Sequence, residues 1–225
     1  MTFPILFEDS EALVIDKPAG LPLDRPRDGA LSLENYLESL KFGFQRPPVA
    51  VHRLDRDTSG CLLLARNPRS LKRFAAAFEE RRVEKVYLGI VAGPVAEAEG
   101  TITLSLSKVS TVKDGWHMIA AKKGKPSITH WRKLEERDGL TLVEFRPETG
   151  RTHQIRVHAQ LGLGTALLGD PIYGESGGAS RTMLHAARLS IARDGKPAVA
   201  PAEVSSHEKA RGHVSTTFTV LQPRR

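Results

Sequence analysis

The sequence predicts an α+β fold with a mainly antiparallel central sheet. Most segments alternate apolar and polar residues as strands do, hairpin signals join many of them, and only a few helical patterns interrupt them. No internal repeat, low-complexity tract or long linker divides the 225 residues. We therefore expect one domain spanning residues 1–225, and a chain of this length can fold without disulfide or metal staples.

The first part of the chain predicts two strands, a turn, a short helix, a buried strand and a longer helix. Pro18 and Gly20 favour the turn, because proline fixes φ and glycine tolerates positive φ. Ser32 is the predicted N-cap of the short helix, and Asn67 with Pro68 begins the longer one. The expected segments are Ile5–Phe7, Ala12–Ile15, Lys17–Gly20, a helix with Leu33, Tyr36, Leu37 and Leu40 on its apolar face, Cys61–Ala65, and a helix burying Leu71, Phe74, Ala75 and Phe78.

The rest of the chain predicts mainly strands and one further helix. The Asp138-Gly139 pair is a hairpin signal, and Thr152 is the predicted N-cap of a helix that ends at Gly162. A basic stretch with Trp116 near its tip predicts a loop or hairpin. The expected segments are strands at Val83–Ala92, Thr101–Ser107, Ile128–Leu134, Leu140–Phe145 and Ser215–Val220, a loop or hairpin at Val109–Lys125, and a strand or short helix at Leu184–Ile191.

Composition favours a polyanionic partner. The chain has 33 Lys and Arg against 26 Asp and Glu, a net charge of +7, and a sequence pI of about 9.7. Nucleic acid fits this charge better than a membrane, because no amphipathic basic helix stands out. A merely basic protein is the alternative. The lone Cys61 cannot form an internal disulfide, and no signal peptide or long apolar stretch is visible, so we expect a cytoplasmic protein.

Two clusters and one strand carry residues that could do chemistry. Residues 52–60 (HRLDRDTSG) place Asp55 and Asp57 in a presumed loop, where they could be acid and base, nucleophile and orienter, metal ligands, or parts of a salt-bridged loop. Residues 150–158 (GRTHQIRVH) place Arg156 on one side of a helix, pointing inward. The two histidines of that segment lack helical metal-site spacing. The strand bearing Lys85 and Tyr87 has the pattern of a half-exposed face.

These segments resemble the RluA-like, large-subunit-type pseudouridine synthases, without the N-terminal S4-like domain that some RNA-modifying relatives carry. The resemblance rests on several motifs in the family's order along nearly the whole chain. They are VIDKPAG at 14–20, HRLD at 52–55 with TSG at 58–60, KVY at 85–87, GKP at 124–126, ETGRTHQIRVH at 148–158, GDP at 169–171 and LHA at 184–186. The run at 189–195 lacks a His-Pro often found after LHA, which leaves the subfamily open.

The resemblance implies an RNA pseudouridine synthase with a catalytic cleft and no metal or organic cofactor. Asp55 matches the catalytic aspartate, Tyr87 the tyrosine that packs on the target base, and Arg156 the basic partner of the aspartate. Arg53 matches the residue that helps displace the target base. The motifs also assign Lys85, His52 and Arg151 to substrate binding.

The chemistry explains these residue types. A carboxylate can attack C1′ of the ribose or remove its 2′ proton, and the sequence does not choose between them. A guanidinium can aim that carboxylate through paired hydrogen bonds, and a tyrosine ring offers a stacking face for uracil. The nucleotide must be flipped out of its stack first. We expect a monomer acting on a tRNA or rRNA stem-loop, with no DNA or membrane partner; an RNA chaperone and a carboxylate-dependent glycosidase are the rivals.

Overall fold

The computed structural model describes residues 1–26, 28–111, 115–175, 178–193 and 196–199. Contacts group the described residues into two compact units. Unit 1 contains Met1–Lys85 and the described residues from Ala186 onward, and unit 2 contains Val86–His185. One domain over residues 1–225 therefore stays a prediction. None of the helices in these ranges has the length and apolar character needed to span a membrane.

Strands dominate both units, as the sequence predicts. The helices are a 3₁₀ helix (Leu33–Leu40), α1 (Pro68–Glu79) and α2 (Gln154–Gly162). The strands are β1 (Ile5–Glu8), β2 (Ala12–Lys17), β3 (Val49–Ala50), β4 (Ser59–Ala65), β5 (Val83–Val91), β6 (Glu99–Thr111), β7 (Gly115–Ala120), β8 (Lys125–Arg137), β9 (Leu140–Pro147), β10 (Leu184–Arg193) and β11 (Lys196–Val199).

Unit 1 is built on antiparallel pairs around β4. β2 lies between β1 and β4, β3 also pairs with β4, and β10 pairs with β11. β4 is a nearly continuous apolar run that is buried along its length, which is the pattern of a strand covered on both faces. Its residues Leu62 and Leu64, together with Ile15 of β2 and Phe74 of α1, are fully buried.

The two helical elements of unit 1 begin where the sequence predicts. Ser32 and Asn35 form a capping box at the start of the 3₁₀ helix. Asn67 caps α1, because its side chain accepts a hydrogen bond from the Ser70 amide at 2.8 Å, and Pro68 occupies the first turn. The predicted apolar face of α1 is wrong at Ala75, which is exposed, because the helix buries Ser70, Phe74 and Ala77 instead.

Unit 2 contains an antiparallel sheet with the strand order β5-β9-β8-β6-β7. β8 and β9 form the predicted hairpin, in which Asp138 and Gly139 both have positive φ, as a two-residue type I′ turn requires. β6 and β7 form a second hairpin, and Trp116 lies near its tip as predicted. Residues 112–114, which connect the two strands, lie outside the described ranges. The mainly antiparallel α+β fold is confirmed.

Helix α2 packs across this sheet, and its start differs from the sequence prediction. Thr152 was the predicted N-cap, but His153 occupies that position with a left-handed backbone at φ 52°. The His153 side chain makes no capping hydrogen bond within the described residues, and Gln154 holds the helix start instead: its amide oxygen accepts from Thr149 Oγ1 at 2.7 Å, and its amide nitrogen donates to the Ile128 carbonyl at 3.0 Å. These bonds tie the helix start to β8. The helix ends at Gly162, as predicted.

Two further predictions concern the end of the chain. Leu184–Ile191 was expected as a strand or short helix, and the structure shows a strand, β10. The strand predicted at Ser215–Val220 lies outside the described residues.

Candidate active site

The loop between β3 and β4 in unit 1 holds Asp55. Leu54 is 5% exposed and anchors the loop in the core, which leaves the neighbouring Asp55 half-buried and Arg53 exposed. The Thr58 amide donates to the Asp55 carbonyl at 3.1 Å and closes a turn directly after the carboxylate. The backbone around Asp55 is therefore fixed on both sides while its side chain stays accessible.

Lys17 binds the same loop through its side-chain amine. Its side chain is completely buried, and Nζ donates to the carbonyl oxygens of Pro18 at 2.8 Å, Leu21 at 2.9 Å and Arg56 at 3.0 Å. An ammonium group carries three N–H donors, so these three acceptors match that number. Gly20 and Arg56 make two further hydrogen bonds. The Gly20 amide donates to the Arg56 carbonyl at 3.0 Å, and Arg56 Nε donates to the Gly20 carbonyl at 3.2 Å. This turn of residues 17–21, which we call the loop clamp, fixes the residue after Asp55.

The sequence prediction of the 17–20 turn missed the role of Lys17. Lysine is rarely buried without partners, and spacing alone did not show where its amine would go. One signal was available: Lys17 continues the alternation of Leu13 and Ile15 on β2, so its side chain starts on the buried side of the strand.

His52 lies inside the loop and is engaged by the protein. Its ring stacks on Phe78 with centroids 4.7 Å apart, and Nε2 accepts the Leu63 amide at 3.1 Å. Burial, with a smaller effect from the charge of Lys85, lowers the pKa of His52 to about 3, although a hydrogen bond with the Arg53 backbone acts in the opposite direction. His52 is therefore neutral near pH 7, and its contact with substrate stays a prediction.

Lys85, on the part of β5 that belongs to unit 1, is half-buried. Burial lowers its pKa to about 8, and the nearby charge of Arg81 contributes in the same direction. Its ammonium is therefore mostly protonated near pH 7 but titrates far closer to neutrality than an exposed lysine does.

A cavity of about 490 Å³ opens beside Arg53 and His52. Leu33 and Leu37 of the 3₁₀ helix give it an apolar side, and the exposed Asp24 lies along it. Arg53 therefore stands at an open, partly apolar hollow in unit 1.

Unit 2 carries the other predicted site residues. Tyr87 lies on β5 opposite Phe145 of β9, half-buried, and packs against the core of unit 2. Arg151 is half-buried in the turn before α2, where its amide donates to the Gln154 side chain at 3.0 Å and its Nε to the Pro126 carbonyl at 3.3 Å. Both side chains are held by the fold on one side and reach solvent on the other.

Arg156 points inward from α2, as the sequence predicts, and is 7% exposed. Its Nε and Nη2 each donate to a carboxylate oxygen of Asp170 at 2.7 Å, a bidentate arrangement that fixes the guanidinium plane. Burial alone would raise the pKa of Asp170, but the hydrogen bonds and charge of Arg156 and the amides of Ile172 and Tyr173 outweigh it and lower the pKa. The GDP motif at 169–171 gives Asp170 no role from sequence alone, and the structure makes it a partner of Arg156.

The structure thus groups His52, Arg53, Asp55 and Lys85 in unit 1, and Tyr87, Arg151 and Arg156 in unit 2. Within the described ranges, no group of three or more His, Cys, Asp or Glu side chains could hold a metal ion. His158, one of the two histidines whose spacing does not fit a helical metal site, is fully buried, and its Nε2 lies 2.9 Å from Ser127 Oγ.

Comparisons with known proteins show that this chain is similar to RNA pseudouridine synthases. The profile of the RNA pseudouridylate synthase family matches residues 11–161. An uncharacterized RNA pseudouridine synthase of Zymomonas mobilis is 56% identical over 201 residues, which cover 88% of this chain and 92% of that protein. Ribosomal large subunit pseudouridine synthase D of the same organism is 34% identical over 83% of this chain, which spans 64% of that relative's length.

A solved structure shows the same fold. The human RNA pseudouridylate synthase domain containing 1 protein superposes with a TM-score of 0.75 at 27% sequence identity. The match covers 99% of this chain and 97% of the human chain.

Proposed function

Because the chain belongs to the RNA pseudouridylate synthase family, whose members are isomerases acting on RNA, we propose that it converts specific uridines of a structured tRNA or rRNA into pseudouridine. In this reaction the bond between C1′ and N1 of uridine breaks, the uracil turns, and C1′ bonds to C5, which gives up its proton to solvent as N1 gains one. The name of the relative at 34% identity supports a site in large-subunit rRNA.

The observation that carries the proposal is the environment of Asp55. The carboxylate lies within the matched segment, on a loop closed by the Thr58 amide and held by the loop clamp through Arg56. Reaction at a ribose carbon needs a carboxylate kept in one position while a flipped nucleotide approaches. Asp55 combines a fixed backbone with an accessible side chain, which is what that task requires.

Each remaining site residue receives a role on the substrate. Asp55 attacks C1′ of the ribose or removes its 2′ proton, Tyr87 stacks on the uracil, and Arg156 is the basic group that serves the catalytic carboxylate. Arg53 occupies the space that the flipped uridine leaves, which its exposure beside an open hollow supports.

Affinity for RNA comes from groups around the reacting atoms. Lys85 and Arg151 contact phosphates of the RNA, and His52 contributes to substrate binding as a neutral ring. A net charge of +7 supports binding to a polyanion that does not depend on base sequence. The reaction uses no metal or organic cofactor, and the enzyme acts as a cytoplasmic monomer without DNA or membrane partners.

The test compares Asp55→Asn with Asp57→Asn, a matched change two residues away on the same loop. Total RNA from cells lacking the protein, grown with [5-³H]uridine, is the substrate, because tritium leaves C5 whenever pseudouridine forms. We expect Asp55→Asn to abolish tritium release and to keep wild-type affinity for the RNA, since affinity is spread over many Lys and Arg. Asp57→Asn retains activity.

Other outcomes separate the rival functions. Turnover by Asp55→Asn close to wild type would remove Asp55 from catalysis. RNA binding with no tritium release by the wild-type protein would favour an RNA chaperone, and release of free uracil would favour a glycosidase. Mapping the pseudouridines in total RNA from cells with and without the protein then identifies the target.

A further inference from the structure

Tyr173 lies at a junction of three elements in unit 2. It is 7% exposed and packs in a small core cluster with Leu106 of β6, Met118 of β7 and Val157 of α2. Its backbone belongs to the turn that follows Asp170, because its amide donates to Asp170 Oδ1 at 3.1 Å. Tyr173 therefore joins the β6–β7 hairpin and α2, through its side chain, to the turn that holds Asp170, through its backbone.

The ring of Tyr173 touches the basic group of the site. The guanidinium carbon of Arg156 lies 5.1 Å from the ring centroid, within the range of a cation–π interaction. Asp170 accepts two hydrogen bonds from the same guanidinium. The Tyr173 ring and the Asp170 carboxylate together therefore fix the position of the Arg156 side chain.

The hydroxyl of Tyr173 touches the hairpin and the start of α2. It accepts the Met118 amide at 2.8 Å and lies 2.9 Å from His153 Nδ1. His153 is the residue with the left-handed backbone, a conformation that a non-glycine residue keeps only where its surroundings hold it. Its ring stacks on Trp116, with centroids 4.9 Å apart.

The far end of this chain of contacts is a surface suited to RNA. Trp116 is 45% exposed at the tip of the hairpin, and the Lys108 amine lies 4.7 Å from its ring centroid. Aromatic rings combined with basic side chains are the usual platform for single-stranded nucleic acid. Further exposed lysines follow β7 directly: Lys122, Lys123 and Lys125.

We propose that Tyr173 is a positioning residue that couples RNA contact at the β6–β7 hairpin to the placement of Arg156. The coupling runs from Trp116 through His153 and the Tyr173 hydroxyl to the Tyr173 ring and Arg156. It rests on the proposed function, because Arg156 is there the basic group of the active site. RNA bound at the hairpin thereby further stabilises the placement of the Arg156 guanidinium.

The central variant is Tyr173→Phe, which keeps the ring beside Arg156 and removes both hydrogen bonds of the hydroxyl. Tritium release from [5-³H]uridine-labelled total RNA is measured at saturating RNA, and affinity for the same RNA by filter binding. We expect the maximal rate to fall about ten-fold, which corresponds to about 1.4 kcal/mol less stabilisation of the transition state, and the affinity to change less than about two-fold. Tyr36→Phe removes a hydroxyl from unit 1 and is the matched control, with an unchanged rate.

A double-variant cycle separates coupling from simple loss of packing. Trp116→Ala changes a side chain that is 45% exposed at the hairpin tip, so we expect this variant to stay folded even where Tyr173→Phe is poorly stable. If the two residues act through one chain of contacts, Trp116→Ala also lowers the maximal rate, and the double variant is no slower than the slower single variant. Independent, multiplying effects on the rate would overturn the proposal, as would a Trp116→Ala rate equal to wild type.

A readout without turnover keeps the proposal distinct from the proposed function. Hydrogen exchange of the Arg156 Nε–H is followed by NMR with and without the same total RNA, unlabelled. We expect RNA to slow this exchange in the wild-type protein and not in Trp116→Ala. Absence of tritium release with RNA-dependent slowing would refute the proposed function and retain the coupling. Slowing of equal size in both proteins would refute the coupling even if pseudouridine forms.

Discussion

Lys85 is the candidate RNA-binding side chain whose charge changes within the working range of pH. Its half-buried amine has a pKa lowered to about 8, first by burial and then by Arg81. An unfolded chain would bind that proton up to about pH 10.5. Between these two values the unfolded state therefore holds more protons than the folded state, and the stability of the folded state rises with pH.

The same titration predicts how RNA affinity changes with pH. As pH rises from 6.5 to 9, Lys85 loses the proton that pairs with phosphate, so the KM for RNA increases about ten-fold, the usual worth of one hydrogen bond to a charged group. Steady-state tritium release across this range measures KM.

Lys85→Arg is the control for this profile, since a guanidinium stays charged throughout the range. We expect a flat KM for this variant over the same pH values. An increase of equal size in both proteins would assign the pH dependence to another group.

At the scale of single residues, the sequence located the candidate site residues better than the side chains that hold their surroundings in place. Asp55 lies in the predicted loop and Arg156 points inward, because loop signals and helical spacing are local. The Arg56 carbonyl that the Lys17 amine binds, and the Met118 amide that donates to the Tyr173 hydroxyl, lie far along the chain from Lys17 and Tyr173. No local pattern encodes those partners.

At the scale of elements, Gly60 is the residue on which the start of β4 depends. Its φ is +106°, and a Cβ atom built there would lie 2.3 Å from the carbonyl oxygen of Ala186. Both residues belong to unit 1, and both atoms in the clash are fixed by backbone. β4 therefore accepts no side chain at this position without moving a neighbouring strand.

We predict that Gly60→Ala is strongly destabilising. Gly43→Ala is the matched control, because Gly43 has φ +85° with nothing within 4 Å of the added Cβ. Backbone strain alone gives the control a loss of roughly 1 kcal/mol in the free energy of unfolding, since an L-residue resists positive φ. Because of the clash, we expect Gly60→Ala to lower the free energy of unfolding by more than about 3 kcal/mol. Urea denaturation of both variants measures the difference, and equal losses would mean that β4 and β10 separate easily.

The two principal helices show why one boundary was predictable and another was not. Asn67 and Pro68 start α1 through a bond between residues three apart, which a sequence pattern contains. α2 starts at His153 rather than Thr152, because Trp116 and Tyr173 hold the His153 ring and Gln154 binds β8. These contacts come from other strands and turns, so spacing within the helix does not reveal them.

At the scale of the whole molecule, charge predicts how binding depends on salt. With a net charge of +7, RNA binding releases counterions from the phosphates, and affinity falls steeply as salt rises. From 50 to 200 mM NaCl we expect the dissociation constant for total RNA to increase at least about ten-fold, which corresponds to roughly two phosphate contacts. Filter binding with Asp55→Asn should give the same slope. A salt-independent constant would show that uncharged contacts dominate.

The fold class was predictable because it depends on many segments of the chain together. Alternation over many strands and an Asp-Gly hairpin signal agree with one another across the chain, so an error in one element leaves the antiparallel architecture intact. The division into two compact units was not predicted. Its boundary falls inside β5 and β10, where no linker composition marks it.

The burial of Lys17 gives the protein an internal chemical reporter. An amine whose nitrogen faces three carbonyl oxygens and no solvent is shielded from acylating reagents, whereas the exposed lysines of the β6–β7 region react freely. Reagent reaches Lys17 only in molecules whose loop clamp has opened. The ratio of Lys17 labelling to surface labelling therefore measures how often the loop of Asp55 comes loose, without a substrate or an assay for turnover.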